Sequence, residues 1–152
     1  MNSEAWSILM LISGALLVAG VVPIAWERAP WWRAADNATF RLEFAHTLRR
    51  VDQIQPALLV ICLITTVGFA VTVSGTVRTL AVLGAAALAA VLIGSLAGLV
   101  PIQRRLTNPE SDLKSSDVER LRAQWLRGHL IRTVVVLLAF GVLAVAAVSP
   151  SG

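Results

Sequence analysis

The side chains of this chain that could move a proton or hold a developing charge crowd into two stretches. Glu43, His46, Arg49, Arg50 and Asp52 make up the first; Arg104, Arg122, His129 and Arg132 make up the second. An imidazole with an ordinary pKa of about 6.5 suits proton abstraction at neutral pH, and a guanidinium suits the anion that results. His129 is therefore the candidate base, with Arg132 or Arg49 as the candidate anion partner. The same residues also read as a basic collar, whose long side chains reach toward phospholipid headgroups.

Other chemistries find no support in the residues. No Gly-x-Ser-x-Gly, Walker-type or His-Glu-x-x-His motif is present, and tyrosine is absent. Cys62 is the one cysteine, which excludes a disulfide framework and a zinc site built from several thiolates. His46 and His129 are the two histidines. As a metal or haem pair they are mismatched in depth, because His46 precedes the second span by about ten residues, or ~15 Å of helix. No metal site is assigned, and cofactor content stays open.

These residues must be held by elements that live in a membrane. Of the 152 residues, 57% are hydrophobic and 14% charged, a balance far from that of an ordinary soluble domain. Four runs carry no formal charge: Ala5–Trp26, Gln53–Val77, Thr79–Gln103 and Thr133–Gly152. Each can supply the roughly 20 apolar residues that cross a bilayer, and none shows the alternation of a barrel strand. The predicted fold is all-α, a four-helix integral membrane bundle. Its spans lie near 5–26, 54–75, 79–102 and 130–148, and its helices extend beyond them on the cytoplasmic side. Residues 1–152 read as one membrane domain. The first run reads as a retained span, not a signal peptide, because no basic residue precedes it and Trp26-Glu27-Arg28 is a poor cleavage site.

Orientation follows from the basic residues. Twelve of the 13 lie in residues 27–52 or 104–132, and Arg78 alone lies on the other side. Loops 27–52 and 104–128 are expected in the cytoplasm and both termini outside, in the plasma membrane. The net charge of +4 is then a topology and anionic-lipid signal, so no nucleic-acid partner is expected.

The loops carry local signals. Trp26, Trp31 and Trp32 read as an interfacial belt. Asp36 or Asn37 can cap a helix from near Ala38 whose apolar stripe is Phe40, Phe44, Leu48 and Val51, with Pro56 marking a bend or restart before span two. Asn37-Ala38-Thr39 matches a glycosylation sequon, idle in the cytoplasm. Ser116-Asp117-Val118-Glu119 reads as a capping box opening a long helix that carries Leu121, Trp125, His129 and Arg132 along one side. Span three holds Gly84, Ala87, Gly94, Ser95 and Gly98, expected to let a neighbouring backbone come close. No run has Asp, Glu, Lys, Arg or His in its interior, which disfavours a transporter unless an oligomer creates the path.

Three stretches carry a family resemblance: Phe40…His46…Arg49…Gln55-Pro56-Ala57-Leu58; Val100-Pro101-Ile102-Gln103-Arg104-Arg105-Leu106; and Arg122…Gln124-Trp125-Leu126…His129-Leu130…Arg132-Thr133. With them the chain resembles the anthrone oxygenase-like family of small four-helix membrane proteins. The most specific part is the W-x-x-x-H-x-x-R-T pattern from Trp125 to Thr133, preceded by V-P-x-(N/Q) at Val100, Pro101 and Gln103. The family more usually shows Asn where Gln103 stands. Most members have no known activity, and some relatives convert an anthrone to an anthraquinone. The resemblance implies a monooxygenase of that type working without a cofactor on a hydrophobic, polyketide-like aromatic. In it His129 is the base, Arg132 or Arg49 the enolate or superoxide partner, and Trp125, His46 and Gln103 contact the substrate. The alternative function is a non-catalytic membrane scaffold that binds lipid or a partner, and homo-oligomerisation fits either reading.

Overall fold

The computed structural model describes residues 2–51 and 54–150; the side chains of Arg50 and Val51, together with Asp52 and Gln53, lie outside what is described. Helix α1 (Ser3–Pro23) starts at Asn2, whose Oδ1 accepts the Ala5 N–H at 3.0 Å. It runs through a π-helical turn at Ile24–Arg28 into α2 (Ala29–Ala34). Helix α3 (Asn37–Val51) is capped by Asp36, whose carboxylate accepts the N–H groups of Ala38 and Thr39. Next come α4 (Gln55–Thr72) and α5 (Gly75–Gly94), the latter continuing through a π-helical turn at Ser95–Leu99 into α6 (Val100–Thr107). Helix α7 (Ser115–Val148) is unbroken. No strand occurs among the described residues.

Four helical stretches are long and apolar enough to cross a bilayer: Ser3–Ala34, Gln55–Thr72, Gly75–Thr107 and Ser115–Val148. Only 28–39% of their most apolar windows is buried inside the bundle, so the outward faces are as greasy as the inward ones. Ile8, Leu16, Ile64, Leu83, Ile93 and Leu138 all point outward. That pattern belongs to helices solvated by lipid. The protein is a multi-pass membrane protein; three of the four predicted spans fall within these stretches, and the second, 54–75, overruns Gln55–Thr72 at both ends, because the chain turns after Thr72 and Gly75 already opens α5.

The spans pack in the cyclic order α1, α4, α5, α7, each against its two neighbours. A hydrogen bond between Ser13 and Thr65, 3.1 Å, joins α1 to α4. Gly68 leaves room for the Trp6 ring and Gly84 for the Leu143 side chain. Gly75 takes φ +56° at the two-residue turn after α4, a conformation that glycine tolerates without strain. At that end Arg78 donates through Nε to the carbonyls of Ala70 and Val73, closing α4.

Both π turns have a proline just beyond them. Pro30 follows the first and Pro101 the second, each at the second position of the next helix. A proline cannot donate, and its ring collides with the carbonyl four residues back. One extra residue in the turn relieves this: the N–H of Ala29 reaches Ile24 O, and that of Val100 reaches Ser95 O, in five-residue steps. The helices therefore pass the prolines without ending in lipid.

Buried apolar residues form two clusters. One fills the membrane core, including Met10, Leu17, Leu59, Phe69, Leu88 and Leu143. The other sits at the Arg-rich end, built on Trp32, Phe40, Phe44, Leu106, Leu121 and Trp125. Trp32 is 0% exposed and meets Phe40, Phe44 and Trp125 edge to face, so it is a core residue and not a belt residue. Trp26 and Trp31 remain exposed, as a belt requires. The stripe on α3 buries Phe40, Phe44 and Leu48 as expected.

Two further expectations need correcting. Helix α7 starts at Ser115, one residue before the expected cap, and no side chain caps it, so Ser116 lies within the first turn. Asn37 instead spends its amide on Ser115 Oγ at 2.6 Å and reaches Glu119, fastening α3 to α7. Gly94 and Gly98 pack against nothing: a Cβ added at either meets open space. Their side of α5 and the following π turn faces a hollow.

Candidate functional site

Between the two apolar clusters lies a small polar assembly. Helix α7 brings Trp125, His129 and Thr133 to its buried face at spacings of four, with Arg132 beside them. The His129 ring stacks on Trp125, centroids 5.0 Å apart and planes inclined by 7°. Its Nε2 lies 3.2 Å from the Val21 carbonyl oxygen, and its Nδ1 lies 2.8 Å from Arg132 Nη2. A carbonyl only accepts and a guanidinium only donates, so Nε2 carries the proton and Nδ1 presents its lone pair to Arg132. His129 is thus a neutral imidazole in a fixed tautomer. The Thr133 hydroxyl donates to the His129 carbonyl at 2.9 Å, securing the same turn.

Arg132 Nη2 also donates to Gln55 Oε1 at 3.1 Å, and Gln55 Nε2 donates to the Gly20 carbonyl at 2.6 Å. Gln55 is buried at the start of α4 and so ties α1, α4 and α7 together at one depth. The sequence reading gives Gln55 no role. A signal was present nonetheless: an amide at the edge of an apolar run must find partners inside the protein.

Three hollows adjoin this assembly. The first, about 440 Å³, lies between α5 with its π turn on one side and α7 on the other; Gly94, Ser95, Gly98, Gly128, Ile131 and Arg132 are among its walls. The second is a chamber of about 60 Å³ bounded by Val21, Gln55, Ser95, Leu99, Gln103 and Arg132. The third, about 460 Å³, opens at the Arg-rich rim against Gly20, Glu27, Arg28, His46, Thr47 and Gln55. Ser95, Leu99, Val91 and Arg132 are common to the first two, and Gln55 is common to the second and third. Roughly, the middle chamber has space for a few waters or a diatomic gas, whereas the outer two are in the size range of ligand sites.

The structure brings Trp125, His129 and Arg132 together and sets Gln103 on the chamber that Arg132 bounds. His46 stands apart on the rim hollow, exposed, while His129 has both ring nitrogens engaged elsewhere. Arg49 is exposed near the end of α3 and lines none of the three hollows. Trp125 also lines none of them; its ring is enclosed by His129, Phe44 and Trp32. Two arginines that read as topology signals turn out to cap helices. Arg41 donates to the carbonyls of Leu106 and Asn108 at the end of α6, and Arg122 to those of Trp32 and Ala35 at the end of α2 while lying 5.1 Å over the Phe40 ring.

No curated protein and no solved structure matches the chain. A family model does: the one described as anthrone oxygenase matches residues 44–142, from the middle of α3 to the last turns of α7, and this stretch includes every side chain of the His129, Arg132 and Gln55 assembly. The chain belongs to the anthrone oxygenase family.

Proposed function

We propose that the protein is an oxygenase that converts the methylene of a flat, hydrophobic anthrone-type aromatic into a quinone carbonyl. The observation that supports this reading best is the contact between Arg132 Nη2 and the unprotonated Nδ1 of His129 within an apolar bundle, where Arg132 lines two hollows and His129 lies buried behind it, lining none of the three. It offers a base and an oxyanion partner at one point, where low surrounding polarity strengthens both.

The methylene of an anthrone is acidic because its conjugate base is an aromatic enolate. When the guanidinium of Arg132 turns to the substrate oxygen, the Nδ1 lone pair of His129 is released to take the methylene proton. The electron-rich enolate then gives one electron to dioxygen, and the carbon radical and superoxide combine into a C–O bond. Loss of water from the hydroperoxide breaks the O–O and remaining C–H bonds and forms the carbonyl. One dioxygen is consumed, one of its atoms stays in the quinone, and the other leaves in water with both methylene hydrogens. No external reductant is needed. Arg132 takes the anion role ahead of Arg49 because it borders two hollows. Trp125 acts as a positioning residue that fixes the imidazole plane.

Turnover under ¹⁸O₂ tests this. The reading expects one labelled oxygen in the quinone, formed above the uncatalysed rate; product formed no faster than without protein contradicts it.

In the cell the rim arginines Arg33, Arg104, Arg105 and Arg127, all exposed, suit contact with anionic headgroups on the cytoplasmic face of the plasma membrane. Both termini then lie outside. A C-terminal epitope reached by antibody on intact cells is the expected result, and one reached only after permeabilisation reverses the orientation.

A further inference from the structure

The 440 Å³ hollow between α5 and α7 has a construction that packing does not explain. On one wall Gly94 precedes the π turn and Gly98 lies within it, and a Cβ on either would meet nothing within 4 Å. On the facing wall Gly128 packs against the Leu99 side chain: a Cβ there would meet Leu99 Cδ2 at 2.5 Å, and that side chain would have to shift. Of three glycines around one hollow, one lets the helices touch and two keep space open. The remaining walls include Ala90, Val91, Ile131 and Val135, and Gly94 and Gly98 are exposed on the membrane face of the bundle. Ser95 borders the space; its Oγ is a buried atom with no hydrogen-bond partner among the described residues. Arg132 borders it as well. A hydroxyl without a partner in an apolar setting is costly unless something else supplies one.

We infer that this hollow is the seat of the aromatic substrate, reached sideways from the bilayer, and that Gly94 and Gly98 set the width of ring system it admits. The inference rests on the oxygenase reading for the identity of the ligand. A ligand that fits has flat apolar rings, which need the missing Cβ atoms, and one oxygen function that Ser95 and Arg132 can bond. The adjoining chamber of about 60 Å³, sharing Ser95, Leu99, Val91 and Arg132, is too small for rings and suits the co-substrate dioxygen or the water released. Substrate and dioxygen then meet across Arg132, next to His129 Nδ1.

The test separates binding from turnover. Anthrone is titrated anaerobically into the full-length protein in nanodiscs, with tryptophan fluorescence as the readout, for the wild type, Gly94→Leu, Gly98→Leu and Gly141→Leu. Gly141 is the control, since a Cβ there also meets open space but lies outside the hollow. Leucine is a better helix former than glycine, so the variants are expected to fold. Saturable wild-type binding is expected, weakened at least about tenfold by Gly94→Leu or Gly98→Leu and unchanged by Gly141→Leu. Equal affinity in all four proteins, or no saturable binding by the wild type, overturns the seat. So does conversion of a wild-type dimer to a monomer by Gly98→Leu, which makes a second copy the occupant. Oxygen uptake measured in parallel keeps the two ideas apart. Binding blocked by Gly98→Leu without any turnover leaves the seat standing and removes the oxygenase reading. Turnover with KM unmoved by either leucine does the reverse.

Discussion

The rings of Trp125 and His129 are stacked one turn apart on α7, with centroids 5.0 Å apart and planes inclined by 7°. The imidazole is therefore held on its face by Trp125 and on its edge by Val21 O and Arg132 Nη2. These contacts fix the ring in one orientation.

That relationship predicts different outcomes for two substitutions of Trp125. Its Nε1 is buried without a hydrogen-bond partner among the described residues, so Trp125→Phe forfeits no hydrogen bond and keeps an aromatic face. Trp125→Ala opens a cavity among Trp32, Phe44 and His129, a loss of about 3 to 5 kcal/mol. Thermal unfolding in detergent should show a large drop for Ala and a small one for Phe, with oxygen uptake surviving only in the Phe variant. Equal melting of the two would mean that the cluster does not depend on the ring.

Gln55 is predicted to act through Arg132. Gln55→Leu removes the accepting oxygen at 3.1 Å and the donor to Gly20. A bond to a charged group lost in this way is expected to lower kcat by about tenfold or more with KM little changed. Gln55→Glu keeps an acceptor for Arg132 and should recover part of kcat. If both variants lose stability and activity in step, Gln55 serves the bundle and not the guanidinium.

Acid stability should carry a signature of Asp36. The Thr39 backbone N–H, then the Thr39 side chain, with a smaller share from the Ala38 N–H, hold this carboxyl below its ordinary value of 3.8. A carboxyl lowered in the fold adds stability that is complete above that ordinary value and disappears as pH falls through the lower folded one. Asn also caps helices well, so Asp36→Asn should melt near the wild type at neutral pH while its melting temperature changes less between pH 5 and pH 2, two values of about the needed range. An identical acid profile in the two proteins would refute the cap's titration.

The spans and the shared face of Trp125, His129 and Arg132 were legible because they obey local rules: charge-free length for a span, and steps of three and four for a helical face. What local rules do not carry is pairing across the fold. Arg41 and Arg122 look like topology charges in one dimension, yet their forks end on helix-terminal carbonyls 65 to 90 residues away. Trp32 stands beside Trp31 in sequence, but α2 turns one indole out and the other into the core. Gly94-x-x-x-Gly98 has the spacing of a packing motif, but with Gly98 inside the π turn the two glycines face an empty space instead. Gln55 stands out as an amide at the edge of an apolar run, but its partners Gly20 and Arg132 lie 35 and 77 residues away.

In the proposed reaction His129 takes the proton that starts oxygenation. Its most direct test is oxygen consumption by the purified protein supplied with an anthrone, comparing wild type with His129→Ala and His129→Gln, each first shown to melt cooperatively. Expected are one dioxygen per quinone for the wild type and a loss of at least about a hundredfold in both variants. Wild-type turnover in a folded His129→Ala protein would contradict it.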